Sequence, residues 1–277
     1  MNTLATSPLD GVPARLNYLA PEEREPAYYL YETAPGYTPP PPAVARHEVM
    51  VRNLRPVLDQ ATLEANGFAF VRAALPPLDY LDDTAVREDY YPHCCELVRR
   101  ATGAASVLAF DHNVRDAALA SEPGSSIREP VRFVHNDYTA RSGPQRVRDL
   151  LGAAAPATLA ARYVFVNVWR PLRGPVEDQP LAVCDASSMA PDDFVATDLR
   201  YADRTGEIYT VRHSTAHRWY YLEAMQPDEV LLLECFDAAG ASARCTAHSA
   251  FRDPRARADA PPRRSIEVRT IASFAPP

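Results

Sequence analysis

The sequence RYVFVNVWRPL, residues 162–172, opens a series of short apolar runs that decides the fold. The series continues with QPLAVCDASSM (179–189), GEIYTVRHS (206–214), HRWYYLEAM (217–225), EVLLLECFD (229–237) and SIEVRTIASF (265–274). These runs have the length of strands, are rich in β-branched and aromatic residues, and are closed by Gly, Pro, Asp or Asn. Short strands in succession with little helix between them predict a mainly β fold, either a sandwich or a barrel.

The part of the chain before residue 130 has a different texture. HEVMVRNLRP (47–56) alternates as a strand does, and TAVREDYYPHCCELVRRATGA (84–104) has apolar residues at helical spacing before a glycine. Residues 1–45 are rich in proline and tyrosine, which predicts an irregular, extended arm that wraps the surface or a partner subunit. We therefore expect one domain over residues 46–277, with flanking helices and a barrel core from about residue 130. If the arm wraps a partner subunit, it forms a homodimer.

Composition excludes several classes of function. The net charge is −7 and the pI about 5.5, so the chain lacks the positive face that binding to nucleic acid requires. All 29 basic residues are arginines, which excludes Schiff-base chemistry and a P-loop lysine. The five cysteines include one adjacent pair and no C-x-x-C spacing, which favours reduced thiols. Without a signal-like start or a run of about 18 apolar residues, the sequence predicts a cytoplasmic protein that does not enter the membrane.

The first chemical signal is His135-Asn136-Asp137 in VRFVHNDYT (131–139). Residues two apart on a strand point to the same face, so both outer side chains can reach one metal ion. The pattern stands at the end of a short apolar run, where a barrel strand meets its mouth and ligands collect. Two imidazoles and one carboxylate hold non-haem Fe(II) on one face and leave its other positions open. The site therefore requires a second histidine.

Six histidines compete for that place: His47, His93, His112, His213, His217 and His248. The first two precede the barrel, and their positions favour structural or surface roles. His112, in FDHNVRD (110–116), either lines the pocket or satisfies a local hydrogen bond. His213 and His217 flank a turn, and His217, in HRWYY, has the aromatic neighbours of a packed core or a substrate wall. His248 follows the long run 229–237 and directly precedes the final strand, and this position favours it as the third ligand.

A possible cosubstrate site follows at the start of the final strand. Arg263 and Ser265 are two residues apart and share a face. Arginine grips a carboxylate with two charge-assisted hydrogen bonds, which a hydroxyl can supplement. The spacing predicts a grip on the far carboxylate of a 2-oxoglutarate molecule bound to the iron. Arg264 and Arg255 are alternatives for this contact. If the pattern has no function, Arg263 and Arg264 are an exposed arginine pair on the surface.

Seven segments occur in the order of a known family: FDHNVR, VHNDYT, VNVWRPL, PLAVCDASS, HRWYYLEAMQPDEVLLLECFD, TAHSAFRDP and PPRRSIEVR. Over about residues 45–275 the chain resembles the AsaB-like hydroxylase/desaturase family of the Fe(II)- and 2-oxoglutarate-dependent oxygenase superfamily. The resemblance implies a double-stranded β-helix, the jelly-roll or cupin-like core. It also implies a dioxygenase of small molecules in secondary metabolism that uses Fe(II), O2 and 2-oxoglutarate and releases succinate and CO2. Hydroxylation, desaturation and related C–H oxidations all remain open.

The resemblance also implies roles for particular residues. His135, Asp137 and His248 take the positions of the catalytic iron ligands, and Arg263 and Ser265 match the R-x-S that binds the cosubstrate. Five residues are candidates for contact with the substrate, because they lie in segments shared with the family or near the expected pocket. They either line the substrate pocket or belong to the core and rim of the barrel: His112, Trp169, Arg170, Trp219 and Tyr220.

Two other classes of function remain possible on the same barrel. A cofactor-free cyclase, isomerase or small-molecule binding protein would use the histidines to line a pocket. A metal-dependent hydrolase would use the same ligands to activate water. Turnover that persists with a chelator and without 2-oxoglutarate would favour the first class, and indifference to O2 would favour the second.

Overall fold

The computed structural model describes residue 4 and residues 10–122, 124–125, 127–240 and 245–274. Within these residues, fourteen strands form two sheets. The strands are β1 (Gly11–Leu19), β2 (Ala27–Tyr29), β3 (Val44–Asn53), β4 (Phe68–Arg72), β5 (Ser106–Asp116), β6 (His135–Asn136), β7 (Tyr163–Pro171), β8 (Leu181–Cys184), β9 (Phe194–Arg200), β10 (Thr205–Val211), β11 (Trp219–Tyr221), β12 (Glu229–Asp237), β13 (His248–Ala250) and β14 (Arg264–Ser273).

The two sheets face each other across a shared core. In the described part of the chain, the larger sheet has the order β1-β3-β11-β8-β13-β6-β10-β9-β2 and the smaller one the order β4-β12-β7-β14-β5. Neighbours are antiparallel except β3 with β11 and β2 with β9. Each of the six apolar runs between residues 162 and 274 contains a strand. The mainly β fold that these runs predicted is confirmed, and the two facing sheets agree with the jelly-roll core that the family resemblance implied.

Strand β7 shows how alternation divides the interior. Phe165 and Trp169 point into the core between the sheets, where they join residues of the larger sheet such as Val183. Val166 and Val168 point the other way, into a second core outside the smaller sheet. Because both faces of β7 are buried, the strand is apolar almost throughout, as is typical of strands covered on two sides.

Helices cover the outer face of the smaller sheet and fill the connections. They are α1 (Leu63–Asn66), α2 (Asp83–Ala85), α3 (Tyr91–Thr102), α4 (Ala117–Ala120), α5 (Ser142–Leu151) and α6 (Ala155–Leu159). The predicted long helix is present as α3, preceded by a π-helical turn over Val86–Tyr90. It ends at Gly103, whose φ of 69° is the left-handed conformation that glycine adopts without steric cost. No helix of the described residues is long and apolar enough to cross a membrane.

Strand β1 corrects the prediction of an irregular arm. It pairs with β3 in unbroken antiparallel register from Gly11 opposite Arg52 to Leu19 opposite Val44. GVPARLNYL alternates in burial, and Leu16 and Tyr18 are fully buried. Pro13 is tolerated because β1 lies at the edge of its sheet. The arm prediction is wrong for β1, because high proline and tyrosine content concealed the alternation; residues 1–3 and 5–9 lie outside the described residues.

Candidate metal centre and active site

Two adjacent strands of the larger sheet bring the predicted metal ligands together. β13 pairs with β6 so that His248 lies opposite His135, and the centroids of the two rings are 4.4 Å apart. Asp137 directly follows β6, and its Oδ1 lies 3.8 Å from His135 Nε2. One ligand atom from each residue lies within 4.8 Å of the others. We call His135, Asp137 and His248 the metal triad.

Hydrogen bonds fix which nitrogen each triad histidine presents. Nδ1 of His135 lies 2.9 Å from the carbonyl of Phe133, and Nδ1 of His248 lies 3.3 Å from the carbonyl of Thr246. A carbonyl oxygen only accepts, so each Nδ1 carries the proton and each Nε2 keeps a free lone pair. Burial, with the nearby His248 ring, lowers the pKa of His135 to about 3. His135 is therefore neutral at neutral pH, as a metal ligand must be.

The carboxylate of Asp137 is held by one oxygen and leaves the other open. Its Oδ2 accepts hydrogen bonds from Asn167 Nδ2 at 2.8 Å and from Arg269 Nε at 2.9 Å. Burial, the largest single influence, would raise the pKa of Asp137, but the charge and hydrogen bond of Arg269 together with the neighbouring His248 and His135 outweigh it and hold this pKa well below its usual range. An ionised carboxylate with one free oxygen suits a metal bound through a single atom.

Arg269 is fixed by carboxylates on every side of its guanidinium. Besides its bond to Asp137, Nη1 donates to Asp111 Oδ2 at 2.8 Å and Nη2 to Glu267 Oε1 at 3.1 Å. Since Arg269 and Asn167 belong to the smaller sheet and the triad to the larger one, these bonds clamp the two sheets together at the metal site. Such outer partners commonly orient ligands and tune metal affinity.

Arg263 and Ser265 carry buried polar atoms with unmade hydrogen bonds. Arg263 is 4% exposed and Ser265 fully buried. Arg263 donates from Nη1 to the Gln179 carbonyl and lies over the ring of Trp169, 5.3 Å from its centroid. Within the described residues, Arg263 Nε and Ser265 Oγ have no hydrogen-bond partner. Leaving such groups unpaired costs about 1–3 kcal/mol each, so this pair is built to receive a ligand with acceptor oxygens.

The two alternative arginines are already paired elsewhere. Arg264 donates from Nε to Asp116 Oδ2 at 2.7 Å, and Arg255 pairs with Asp253 and with Glu223, each at 3.0 Å. Neither lines a cavity with the triad. Burial, with the neighbouring Arg115, lowers the pKa of Arg263 to about 9, which is the expected response of a buried cation that has no counter-ion.

A small cavity of about 40 Å³ joins the triad to Arg263. His135, His248, Arg263 and Trp169 share its wall, together with Arg115, Val131, Leu181, Ser249, Ala250, Glu267 and Arg269. Two of the metal ligands, His135 and His248, and the arginine that lacks a carboxylate therefore open onto one space. The chemistry of its two ends suits a ligand that chelates a metal at one end and presents a carboxylate at the other.

Sequence comparison assigns the family. The family described as "Oxidoreductase/YMDC permease-like domain" matches residues 16–273. The chain is 36% identical over 255 residues to the Fe(II)/2-oxoglutarate-dependent dioxygenase nvfI of Aspergillus novofumigatus, a match that covers 90% of this chain and 91% of that protein. This chain belongs to the Fe(II)/2-oxoglutarate-dependent dioxygenases.

Two further similarities agree with this assignment. The hydroxylase/desaturase efuI of Hormonema carpetanum is 30% identical over 251 residues, covering 80% of this chain and 82% of that protein. The solved structure of the iron and alpha-ketoglutarate-dependent endoperoxidase NvfI superposes with a TM-score of 0.87 at 33% identity, covering 96% of this chain and 99% of that one. The resemblance to the hydroxylase/desaturase family is confirmed.

A second, larger cavity of the dioxygenase also reaches two residues of the triad. It has a volume of about 1380 Å³, and His135 and Asp137 lie in its wall. His112 lies in the wall of this cavity too, with Nδ1 3.0 Å from the Tyr91 hydroxyl. Its contact with substrate stays a prediction. Trp169 lines the small cavity instead.

The structure excludes three of the five substrate candidates from both cavities. Arg170 is fully buried on the outer face of β7, where it donates to the carbonyls of Ala73 and Ala74. Trp219 is buried on the outer side of the larger sheet, and Tyr220 lies in the core between the sheets. The prediction that Arg170, Trp219 and Tyr220 line the pocket is wrong, and their alternative role in core packing describes them.

Sequence reasoning missed the second half of the pattern on β14. Arg263, Ser265, Glu267 and Arg269 follow one another at intervals of two, so all four point to the inner face. Ile266 and Val268 between them pack in the outer core. A strand that alternates strictly between polar and apolar residues, in a sheet with both faces covered, signals a polar site inside. That signal was available for Arg269, whereas Asn167 had none, because its own strand is apolar.

Proposed function

We propose that this dioxygenase binds Fe(II) through His135 Nε2, Asp137 Oδ1 and His248 Nε2. The proposal is carried by one observation: one ligand atom from each of the three residues lies within 4.8 Å of the others, and His135 and His248 line a cavity whose wall also includes Arg263. Two imidazoles and one carboxylate are the donor set typical of non-haem Fe(II) oxygenases. The neutral state of His135 and the ionised state of Asp137 both favour metal binding.

We further propose that Arg263 and Ser265 bind the far carboxylate of 2-oxoglutarate. The free Nε of Arg263 and the free hydroxyl of Ser265 supply hydrogen bonds that a carboxylate would complete. Trp169, which is only 3% exposed, covers the guanidinium of Arg263 and keeps water from it. Water exclusion strengthens the attraction between the arginine and an anion.

With iron and cosubstrate bound, the centre would couple oxidative decarboxylation of 2-oxoglutarate to succinate and CO2 with O2-dependent oxidation of a C–H bond. The chain's own residues then hold the metal ligands in place and orient them. Asn167 and Arg269 keep Asp137 turned toward its histidines, and Asn136, between the ligands, ties the backbone to the Cys235 carbonyl at 2.9 Å.

The large cavity is the proposed place of the molecule to be oxidised. Its volume of about 1380 Å³ exceeds the roughly 300–1,000 Å³ of common small-molecule pockets. Aromatic residues in its wall include Tyr28, Phe133 and Tyr138. These features support a small molecule of secondary metabolism that is considerably larger than 2-oxoglutarate. Hydroxylation, desaturation and related outcomes are all compatible with the site.

The test is succinate release by purified protein supplied with Fe(II), 2-oxoglutarate and O2. We expect succinate formation that requires all three components and rises when a substrate is added from a panel of polycyclic natural products. Product formation from that panel in the presence of chelator, without 2-oxoglutarate, would instead support the cyclase or isomerase. Product formation that needs metal but no O2 would support the hydrolase.

Three further predictions concern organisation and location. We propose that residues 46–277 form one oxygenase domain, that the protein is cytoplasmic, and that a homodimer forms through residues 1–45. In the described residues, β1 pairs with β3 of its own chain on one side, and on the other side Asn17 bridges to Phe133, so a dimer through the arm would use the part of the β1 edge that precedes Asn17. Light scattering on the unaltered protein over a range of concentrations tests the dimer, and the mass of a single chain at every concentration would refute it.

A further inference from the structure

Arg115 stands where the two cavities meet. The register of β5 against β14 places Arg115 opposite Ser265 and Asp111 opposite Arg269. Arg115 therefore shares the inner face with the residues of the proposed cosubstrate site. Its side chain lines the small cavity and the large cavity alike. A group bound by Arg115 would lie beside the metal triad.

Arg115 lacks the carboxylate partners that its neighbour has. Arg269 takes all three nearby carboxylates, those of Asp111, Asp137 and Glu267. No carboxylate oxygen of the described residues lies within ion-pair distance of Arg115, whose guanidinium makes one long hydrogen bond, 3.4 Å, to the Glu129 carbonyl. Burial lowers the pKa of Arg115 from its ordinary value. The guanidinium charge of Arg115 is thus partly removed from water and has no carboxylate partner. Both conditions favour the binding of an anion.

The wall of the large cavity is positive although the whole chain is negative. Six arginines and four carboxylates line the cavity, whereas the chain carries a net charge of −7. Of these arginines, only Arg141 and Arg269 have ion pairs within the described part of the chain. Arg146 and Arg204 stack on aromatic rings instead. An excess of positive charge in a concave site concentrates anions there.

We propose that the molecule oxidised by this dioxygenase carries a carboxylate, which Arg115 binds at the passage between the two cavities. The inference deepens the proposed function and rests on it for the position of the iron. The planar guanidinium suits a carboxylate with two parallel hydrogen bonds. The cosubstrate's far carboxylate already has Arg263, so the open side of Arg115, toward the large cavity, is left for the substrate.

A binding experiment without turnover tests the carboxylate site. The protein is loaded with redox-inert Zn(II) and saturating 2-oxoglutarate, and is titrated by fluorescence with 9-anthracenecarboxylate and, separately, with its neutral methyl ester. We expect the acid to bind about tenfold more tightly than the ester at low salt, the equivalent of one charge-assisted interaction of ~1.4 kcal/mol. Arg115→Gln should abolish this preference. Arg204→Gln, a matched change in the same wall, should keep it.

The outcomes that overturn the carboxylate site differ from the outcome that overturns the oxygenase function. Equal binding of acid and ester by the unaltered protein, or an acid preference that survives Arg115→Gln, excludes a carboxylate site at Arg115. If Arg115→Gln weakens 2-oxoglutarate binding and leaves the acid preference intact, the carboxylate in question belongs to the cosubstrate. Succinate release by the unaltered protein is measured separately. Its absence, with the acid preference present, would refute the oxygenase function and leave the carboxylate site standing.

Discussion

Two groups of histidines lie on the larger sheet, and only one of them is fit to hold a metal. The metal triad presents two Nε2 atoms and one carboxylate oxygen to a common space. The other group, which we call the outer cluster, consists of His47, His213 and His217. Its rings are as close as those of the triad, since the centroids of His47 and His213 lie 3.8 Å apart in parallel planes.

Within the outer cluster, His217 has both ring nitrogens committed to the protein itself. His217 donates from Nε2 to Asp193 Oδ2 at 3.0 Å, and its Nδ1 accepts from the Tyr18 hydroxyl at 3.2 Å. Tyr18 in turn accepts from Trp219 Nε1 at 2.7 Å. This chain of hydrogen bonds leaves His217 no lone pair for a metal. The difference teaches that proximity of histidines is insufficient, and that free lone pairs must converge.

The largest expected effect separates the two groups directly. His248→Ala should reduce Fe(II) affinity and succinate release by more than the roughly 10–100-fold typical of losing an outer-shell partner, because it removes a ligand. His217→Ala should leave Fe(II) affinity unchanged. Anaerobic Fe(II) titration of both variants measures this. Normal affinity in His248→Ala combined with lost affinity in His217→Ala would reverse the assignment.

A somewhat smaller effect is expected at the carboxylate end of the small cavity. Arg263→Gln removes charge-assisted hydrogen bonds worth about 1.5–3 kcal/mol each, so the 2-oxoglutarate concentration for half-maximal succinate release should rise at least about tenfold. Arg264→Gln is the matched control, since Arg264 pairs with Asp116 outside the cavity. An unchanged requirement in Arg263→Gln, with a raised one in Arg264→Gln, would transfer the role to Arg264.

Removal of the clamp on Asp137 should have a graded effect. Arg269→Gln takes a charged donor from Asp137 Oδ2 and should lower Co(II) affinity by about 10–100-fold. Asn167→Ala takes a neutral donor from the same oxygen and should cost less. Calorimetric titration of the two variants with Co(II) compares them. Equal affinities in both variants and the unaltered protein would mean that the clamp does not position the ligand.

The smallest effect concerns acid stability of the outer cluster. Burial, with the neighbouring His47, lowers the pKa of His213, so the unfolded chain binds more protons than the folded one in mild acid. The contribution of His213 is therefore complete above its unfolded pKa of about 6.5 and is lost as the pH falls below it. His213→Gln should move the acid-unfolding midpoint down by about a few tenths of a pH unit. A midpoint that moves upward would contradict this sign.

The sequence was most informative where the prediction needed only the alternation of side chains along a strand or the order of motifs along the chain, and no knowledge of contacts. The spacing of Arg263 and Ser265 placed both on one face of β14, and the position of His248 before that strand distinguished it from His217. Arg170 could not be placed, because both faces of β7 are buried and an apolar run does not tell which face lies inside. The bond from Arg269 to Asp137 joins strands far apart in sequence, and single-sequence patterns do not report such pairings.

The most direct test of the central claim is anaerobic titration of the purified protein with Fe(II) and 2-oxoglutarate, followed through the visible charge-transfer absorption of their chelate. We expect one equivalent of chelate in the unaltered protein and in His217→Ala, and none in His248→Ala or Asp137→Ala. Chelate formation that persists in His248→Ala, or that is absent from the unaltered protein, would contradict the assignment of His135, Asp137 and His248 as the iron site.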